Sequence, residues 1–242
     1  MYVTGFPLAE ALAVTVAFGL AAYFLKTVSP GGLAGGIVVG TSIYWCGGWP
    51  AFTVLGAFFV TASVLTRIGY ARKAELGAEQ AEGGRRGARH AAANCAVGLV
   101  LAAAMKATGA GTLLAAAFVA SFATAAADTA GSEAGPVFGR TTVLPTSLKR
   151  VPPGTPGAIS LEGTLASALA AVVISLVGLA VGLLSTVALA AAASISAFLA
   201  ALVESVLGSF PRLEKAVGNE WMNVFNTALG ALLCLFLAAI LR

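Results

Sequence analysis

Long apolar runs separated by short polar or glycine-rich breaks dominate this chain. The first run is Leu8 to Leu25, closed by Lys26 and by Ser29-Pro30-Gly31-Gly32. A second, shorter and glycine-rich, extends from about Leu33 to Trp45. Gly47-Gly48-Trp49-Pro50 then reads as a turn whose tryptophans suit a membrane interface. The third run is Ala51 to Thr66. A spanning helix needs about 20 apolar residues, with about 17 as the low end, so the second run predicts a tilted, broken or re-entrant segment. Arg67 to His90 is the longest polar stretch. Apolar structure resumes from about Ala91 to Met105, turns at Lys106 to Gly111, and continues from Gly111 to Ala127. Gly135 to Gly157 is a second polar loop. Thr164 to Val203 is one apolar stretch of 40 residues, which predicts two helices joined near Gly182 to Ser185. Glu204 to Glu220 is polar again, and the last helix runs from about Trp221 to Leu241.

The pattern predicts an all-α polytopic transmembrane bundle of about eight spans. Composition agrees: 59% of the 242 residues are hydrophobic and 10% charged, against about 25% charged in soluble domains, and the mean hydropathy is +0.93. Abundant Ala and Gly allow close helix packing in lipid. The runs are continuous, so a β-barrel with alternating segments is excluded. The net charge of +4 is that of loops that set topology, with no nucleic-acid partner implied. Alternate counting places Arg67–Arg89, Arg140–Arg150, Arg212–Lys215 and Lys26 on one side. The positive-inside rule makes that side cytoplasmic, with both termini outside. The chain thus reads as a single transmembrane domain over 1–242, with polar segments 67–90, 128–157 and 204–221 forming a site on one face. Cys46, Cys95 and Cys234 show no metal or disulfide spacing.

Asp128-Thr129-Ala130-Gly131-Ser132-Glu133 is where acid meets an apolar segment. It holds the chain's single aspartate and one of its nine glutamates. Such charges are expensive in a membrane and point to function. At about 100° per residue the two acids lie about 140° apart on a regular helix. They can share a metal only if the helix ends or unwinds between them, which Gly131 allows. With the hydroxyls of Thr129 and Ser132 the donors are all oxygen, which suits magnesium; the plain alternative is a solvated helix end.

In the first polar loop Arg72, Lys73, Arg85 and Arg86 can clamp phosphates, and Gly83-Gly84 lets backbone approach a ligand. A headgroup-facing loop would carry the same charges. Asn94, one turn into the next helix, serves either a site or an interhelical hydrogen bond. His90 has no partner at ligand spacing. In the second loop, Lys149 and the amides around Gly154, together with Thr155, Ser160 and Thr164, can cradle phosphates beside a helix N-terminus. It is not a Walker loop. Asn219, Asn223 and Asn226 form one stripe on the last helix, facing protein or a water-filled cavity. No Ser-His-Asp set, Cys-His pair or dinucleotide fingerprint occurs.

Five motifs occur in order: Arg67-x-Gly-Tyr-x-Arg-Lys, Glu82-Gly-Gly-Arg-Arg, Ala120-Ser-Phe-Ala-Thr-Ala-x-Ala-Asp-Thr-x-x-Ser-Glu, Val151-Pro-Pro-Gly-Thr-x-Gly-Ala-Ile-Ser-x-Glu-Gly-Thr and Asn223-x-x-Asn226. From Arg67 onward the chain therefore resembles an integral membrane family that includes the plant plastid phytyl-phosphate kinase and animal transmembrane protein 19. The resemblance implies a lipid-phosphate kinase. CTP or another NTP would phosphorylate a prenyl monophosphate, phytyl or geranylgeranyl, to the diphosphate. It implies that Asp128 and Glu133 hold magnesium and that Lys73 joins them in catalysis. Arg72, Arg85, Arg86, Asn94, Lys149, Gly154, Thr155, Asn223 and Asn226 would bind phosphates. Leu207-Gly-Ser-Phe-Pro-Arg departs from the family's usual Gly-Ala-Thr-x-Gln, and Glu204 is left without a role. The rival readings are a CTP-dependent cytidylyltransferase or prenol kinase and, from another class, a transporter or lipid flippase. The partners expected are the lipid substrate and membrane lipids.

Overall fold

The computed structural model describes residues 6–79, 81–109 and 111–241; the side chains of residues 81, 82, 211, 214 and 215 lie outside the described residues. The backbone follows the logic of lipid, where a helix satisfies its own hydrogen bonds. The elements are α1 (Leu8–Phe24), α2 (Pro30–Arg67), the short α3 (Tyr70–Glu75) and α4 (Ala81–Gly84), α5 (Ala88–Thr108) and α6 (Thr112–Phe138). There follow a small antiparallel pair, β1 (Thr142–Val143) and β2 (Ile159–Ser160), then α7 (Leu161–Ala180), α8 (Val187–Gly208), the short α9 (Pro211–Val217) and α10 (Asn219–Ile240). Among the described residues α2, α5, α6, α7, α8 and α10 are long and apolar enough to cross a membrane, and α1 is a shorter apolar helix of 17 residues.

α2 is two spans, not one. A straight helix of its 38 residues would be about 57 Å long, nearly twice a hydrocarbon core of about 30 Å. Gly48 leaves helical geometry at φ 62°, ψ −160°, and the chain folds back there. Both ends of α2 consequently meet the same neighbour. Ser29 N–H donates to the Arg86 carbonyl (3.2 Å) just before the first leg, and Arg86 Nη2 donates to Thr66 Oγ1 (3.5 Å) at the end of the second. Arg67 Nη2 reaches back to the Leu25 carbonyl at 2.7 Å. The legs, 30–47 and 49–67, bring the apolar segments to eight. Ser29-Pro30-Gly31-Gly32 opens a helix and does not merely end one: the Ser29 hydroxyl accepts from Gly32 N–H at 3.2 Å, with proline at the first helical position. The second run is thus a full leg beginning at Pro30, neither re-entrant nor short.

α6 is the central post. Every residue from 115 to 127 is buried, and eight of them are alanine, so neighbours pack on all sides. Three neighbours approach it through glycines. A Cβ at Gly98 of α5 would lie 2.4 Å from the Phe122 ring, one at Gly178 of α7 2.7 Å from Val119, and one at Gly230 of α10 2.0 Å from Thr124.

With the hairpin included, the segments alternate in direction. The connections 25–29, 67–88, 138–161 and 208–219 gather at one end. The kink at Gly48, the end of α5, the start of α6 and the turn 181–186 gather at the other, where Lys106 Nζ donates to the Trp45 carbonyl (3.0 Å) and Tyr44 donates to Glu10 (2.6 Å). The two strands pin the long loop between α6 and α7, with Thr142 opposite Ser160. Ser209 donates to the Gly157 carbonyl (3.3 Å) and ties that loop to the end of α8.

Candidate active site

α6 does not break at Gly131. It stays helical from Thr112 to Phe138, so residues 128–138 are helix and not loop, as are 204–208 at the end of α8. Gly131 serves packing instead: a Cβ there would lie 3.6 Å from the Ser167 Cβ of α7. Beside it a Cβ at Gly163 would lie 3.0 Å from the Gly131 carbonyl oxygen. The expectation that Asp128 and Glu133 share one metal is therefore corrected. On an unbroken helix the two carboxylates diverge, and each has its own partners.

Glu133 belongs to a buried latch. Its Oε2 lies 2.5 Å from Lys73 Nζ, and Thr66 Oγ1 donates to its Oε1 at 2.9 Å. Lys73 also donates to the carbonyls of Thr66 (2.7 Å) and Leu65 (3.2 Å), which the end of α2 leaves without helical partners. Lys73 is 0% exposed and Glu133 3%. All three ammonium hydrogens are used, so the catalytic role expected of Lys73 is corrected to a structural one. The latch locks α3 and the end of α2 onto α6.

Asp128 turns the other way, towards α8, where its carboxyl lies beside that of Glu204 and both line the same chambers. Asn226 Nδ2 donates to Glu204 from α10. From sequence alone Glu204 has no role. The signal was present, since a lone acid closes the 40-residue apolar stretch, but its partner lies on another helix.

Two adjoining chambers open at the polar end of the bundle. The smaller, about 150 Å³, is walled by Thr66, Gly84, Arg85, Arg86, His90, Asn94, Asp128, Thr129, Ser132, Glu204, Asn219 and Asn223. The larger, about 320 Å³, lies under the second loop, with Thr142, Gly154, Thr155, Gly157 and Ser160 above and α6, α7 and α8 below. Asp128, Ser132, Glu204 and Asn219 line both, so the carboxylate pair stands on the partition.

Arg86 is placed by the loop before it. Gly84, at φ 77°, takes a conformation open to glycine, and a Cβ there would lie 3.3 Å from Thr66 and Tyr70. Arg86 also lies over the Phe58 ring, 5.8 Å from its centroid. Burial pushes its pKa down from the ordinary arginine value, and the nearby Glu133 and Asp128 carboxylates oppose that shift. Its Nε is buried without a hydrogen-bond partner among the described residues. A guanidinium with a free donor beside a cavity suits an oxyanion.

Of the residues expected to bind phosphate, Arg85, Arg86, Asn94 and Asn223 reach the smaller chamber and Gly154 and Thr155 the larger. Asn226 stands behind, holding Glu204. Arg72 and Lys149 are corrected: both are exposed and line neither chamber. Thr66, Thr142, Glu204 and His90 are chamber residues that the sequence did not single out as site members, whereas Asn219 belongs to the stripe read on the last helix. His90 had no ligand spacing to mark it, because its place depends on where α5 starts.

The family described as Integral membrane protein DUF92 matches residues 13–231. An uncharacterized membrane protein of Synechocystis is 36% identical over 221 residues, covering 88% of this chain and 84% of that protein. The chloroplastic protein VTE6 of Arabidopsis thaliana is 36% identical over 217 residues, covering 87% of this chain and 65% of that one. No solved structure matches the chain.

Proposed function

The chain belongs to the integral membrane protein DUF92 family, and from that membership we propose that it is a membrane phosphotransferase that converts a prenyl monophosphate to the diphosphate at the expense of CTP or another nucleoside triphosphate. The observation that carries the reading is the Asp128–Glu204 carboxylate pair standing opposite Arg85 and Arg86 at the polar end of an apolar bundle. The motif resemblance to the phytyl-phosphate kinase family and the chloroplastic relative support the same reading.

The donor set fits magnesium. Two ionised carboxylates side by side repel unless a proton or a cation lies between them, and the neighbouring Thr129 and Ser132 hydroxyls add oxygen donors for a cation. No third His, Cys, Asp or Glu gathers with the pair among the described residues, as suits an ion that completes its shell with water and phosphate. Asp128 and Glu204 would hold it, and when bound it neutralises phosphate oxygens. Asn226 fixes Glu204 for that task. Arg85 and Arg86 offset the remaining phosphate charge, which is the main demand of phosphoryl transfer. An oxygen of the monophosphate attacks the γ-phosphorus, the bond to the bridging oxygen breaks, and the nucleoside diphosphate leaves with the electron pair. The monophosphate is already largely ionised near neutral pH, so no strong base is needed. The basic loops favour a cytoplasmic site.

The test is consumption of labelled CTP and ATP with phytyl and geranylgeranyl monophosphates in detergent micelles. Release of CDP is expected, whereas pyrophosphate would instead indicate a cytidylyltransferase. Asp128→Asn and Glu204→Gln should each lower turnover by at least about a hundredfold while leaving the thermal midpoint of the folded protein nearly unchanged. Full activity in either variant would remove that residue from the metal site.

A further inference from the structure

The two chambers divide the substrates. Resting on the kinase reading above, we infer that the larger chamber takes the nucleotide and the smaller one the lipid's monophosphate, with transfer across the wall that Asp128 and Glu204 form. Three observations carry the division. The carboxylate pair lines both spaces, so a metal that Asp128 and Glu204 would hold could serve a ligand in either. The arginines are one-sided: Arg85 and Arg86 line the smaller chamber, and no lysine or arginine lines the larger among the described residues. The larger chamber has about twice the volume and a different chemistry, being roofed by a glycine-rich loop pinned by β1 and β2.

A monophosphate has only its own dianion for recognition, and needs cations that do not belong to the shared metal. The small space with two guanidiniums, one of which has a free Nε, meets that need. A nucleotide brings a base and ribose that ask for hydroxyls and backbone groups and for room. The larger chamber supplies Thr155, whose hydroxyl donates to the Pro152 carbonyl (2.7 Å) and is left to accept, and also Thr142, whose buried hydroxyl has no partner among the described residues. The acceptor oxygen then approaches the γ-phosphorus from the arginine side and the nucleoside diphosphate departs on the loop side. Attacking and leaving oxygens lie on opposite faces of the partition, as in-line transfer requires.

The experiment is a two-substrate kinetic analysis of the full-length protein in micelles, with CTP (or the preferred triphosphate) and geranylgeranyl monophosphate varied independently. Thr142→Val and Thr155→Val are expected to raise the KM for the nucleotide about tenfold, the scale of one lost hydrogen bond, with the lipid KM within about twofold. Asn94→Ala and Asn223→Ala are expected to do the reverse. Crossed results, or equal shifts of both constants in every variant, overturn the division while leaving the kinase intact. A wild-type protein that consumes no nucleotide with any prenyl phosphate overturns the kinase reading itself.

Discussion

Lys73 shows how a charged residue can be central without doing chemistry. It lies in a basic loop at a spacing that suits phosphate binding, yet it is fully buried against one carboxylate and two carbonyls. Removing one member of a buried pair strands the other charge and costs about 3–5 kcal/mol, whereas replacing both with apolar groups costs far less. Lys73→Met should therefore lower stability strongly, and Lys73→Met combined with Glu133→Met should recover much of the loss. Denaturant unfolding of Lys73→Met, Glu133→Met and the double variant in mixed micelles checks this cycle. A neutral single variant would show that the latch contributes nothing. The same scale separates the two acids of the central motif: Glu133 is held by its latch at the edge of the larger chamber, while Asp128 faces a second acid and lines both chambers.

Among the elements, the apolar runs were legible because lipid admits no irregular backbone, so each span must be continuous in sequence. The hairpin of α2 was legible too, at Gly47-Gly48-Trp49-Pro50. The course of α6 was not. Gly131 looks like a hinge when read alone, and only the approach of Gly163 and Ser167 from α7 makes it a packing residue. The Asp128–Glu204 pairing was equally hidden, because it depends on how α8 leans on α6. Glycines of α2 thus have opposite expectations. At Gly48, φ 62° and the Phe6 ring 2.0 Å from an added Cβ make Gly48→Ala destabilising by about 1–3 kcal/mol. At Gly36 an added Cβ meets nothing within 4 Å, so Gly36→Ala should raise stability by up to about 1 kcal/mol. Thermal midpoints of the two variants should move in opposite directions.

At the scale of the whole molecule, eight alternating segments put the polar loops at one end and the tight turns at the other. Thr146 and Ser185 are both exposed, the first in the loop between α6 and α7 and the second in the turn between α7 and α8. Thr146→Cys and Ser185→Cys should therefore react with a membrane-impermeant thiol reagent from opposite faces of sealed vesicles, measured against the wild-type background. Labelling of both from one face would contradict the topology. The length of α6 then fixes a depth. Asp128 stands sixteen residues above Thr112, about 24 Å along the helix, close to the upper boundary of a hydrocarbon layer about 30 Å thick. On the kinase reading proposed above, a carboxylate pair at that height would meet a phosphate at the level of lipid headgroups, and an acceptor need never be lifted from the bilayer. Encounter is then a search in two dimensions, governed by how many acceptor molecules each lipid molecule accompanies and insensitive to the volume of water around the vesicle.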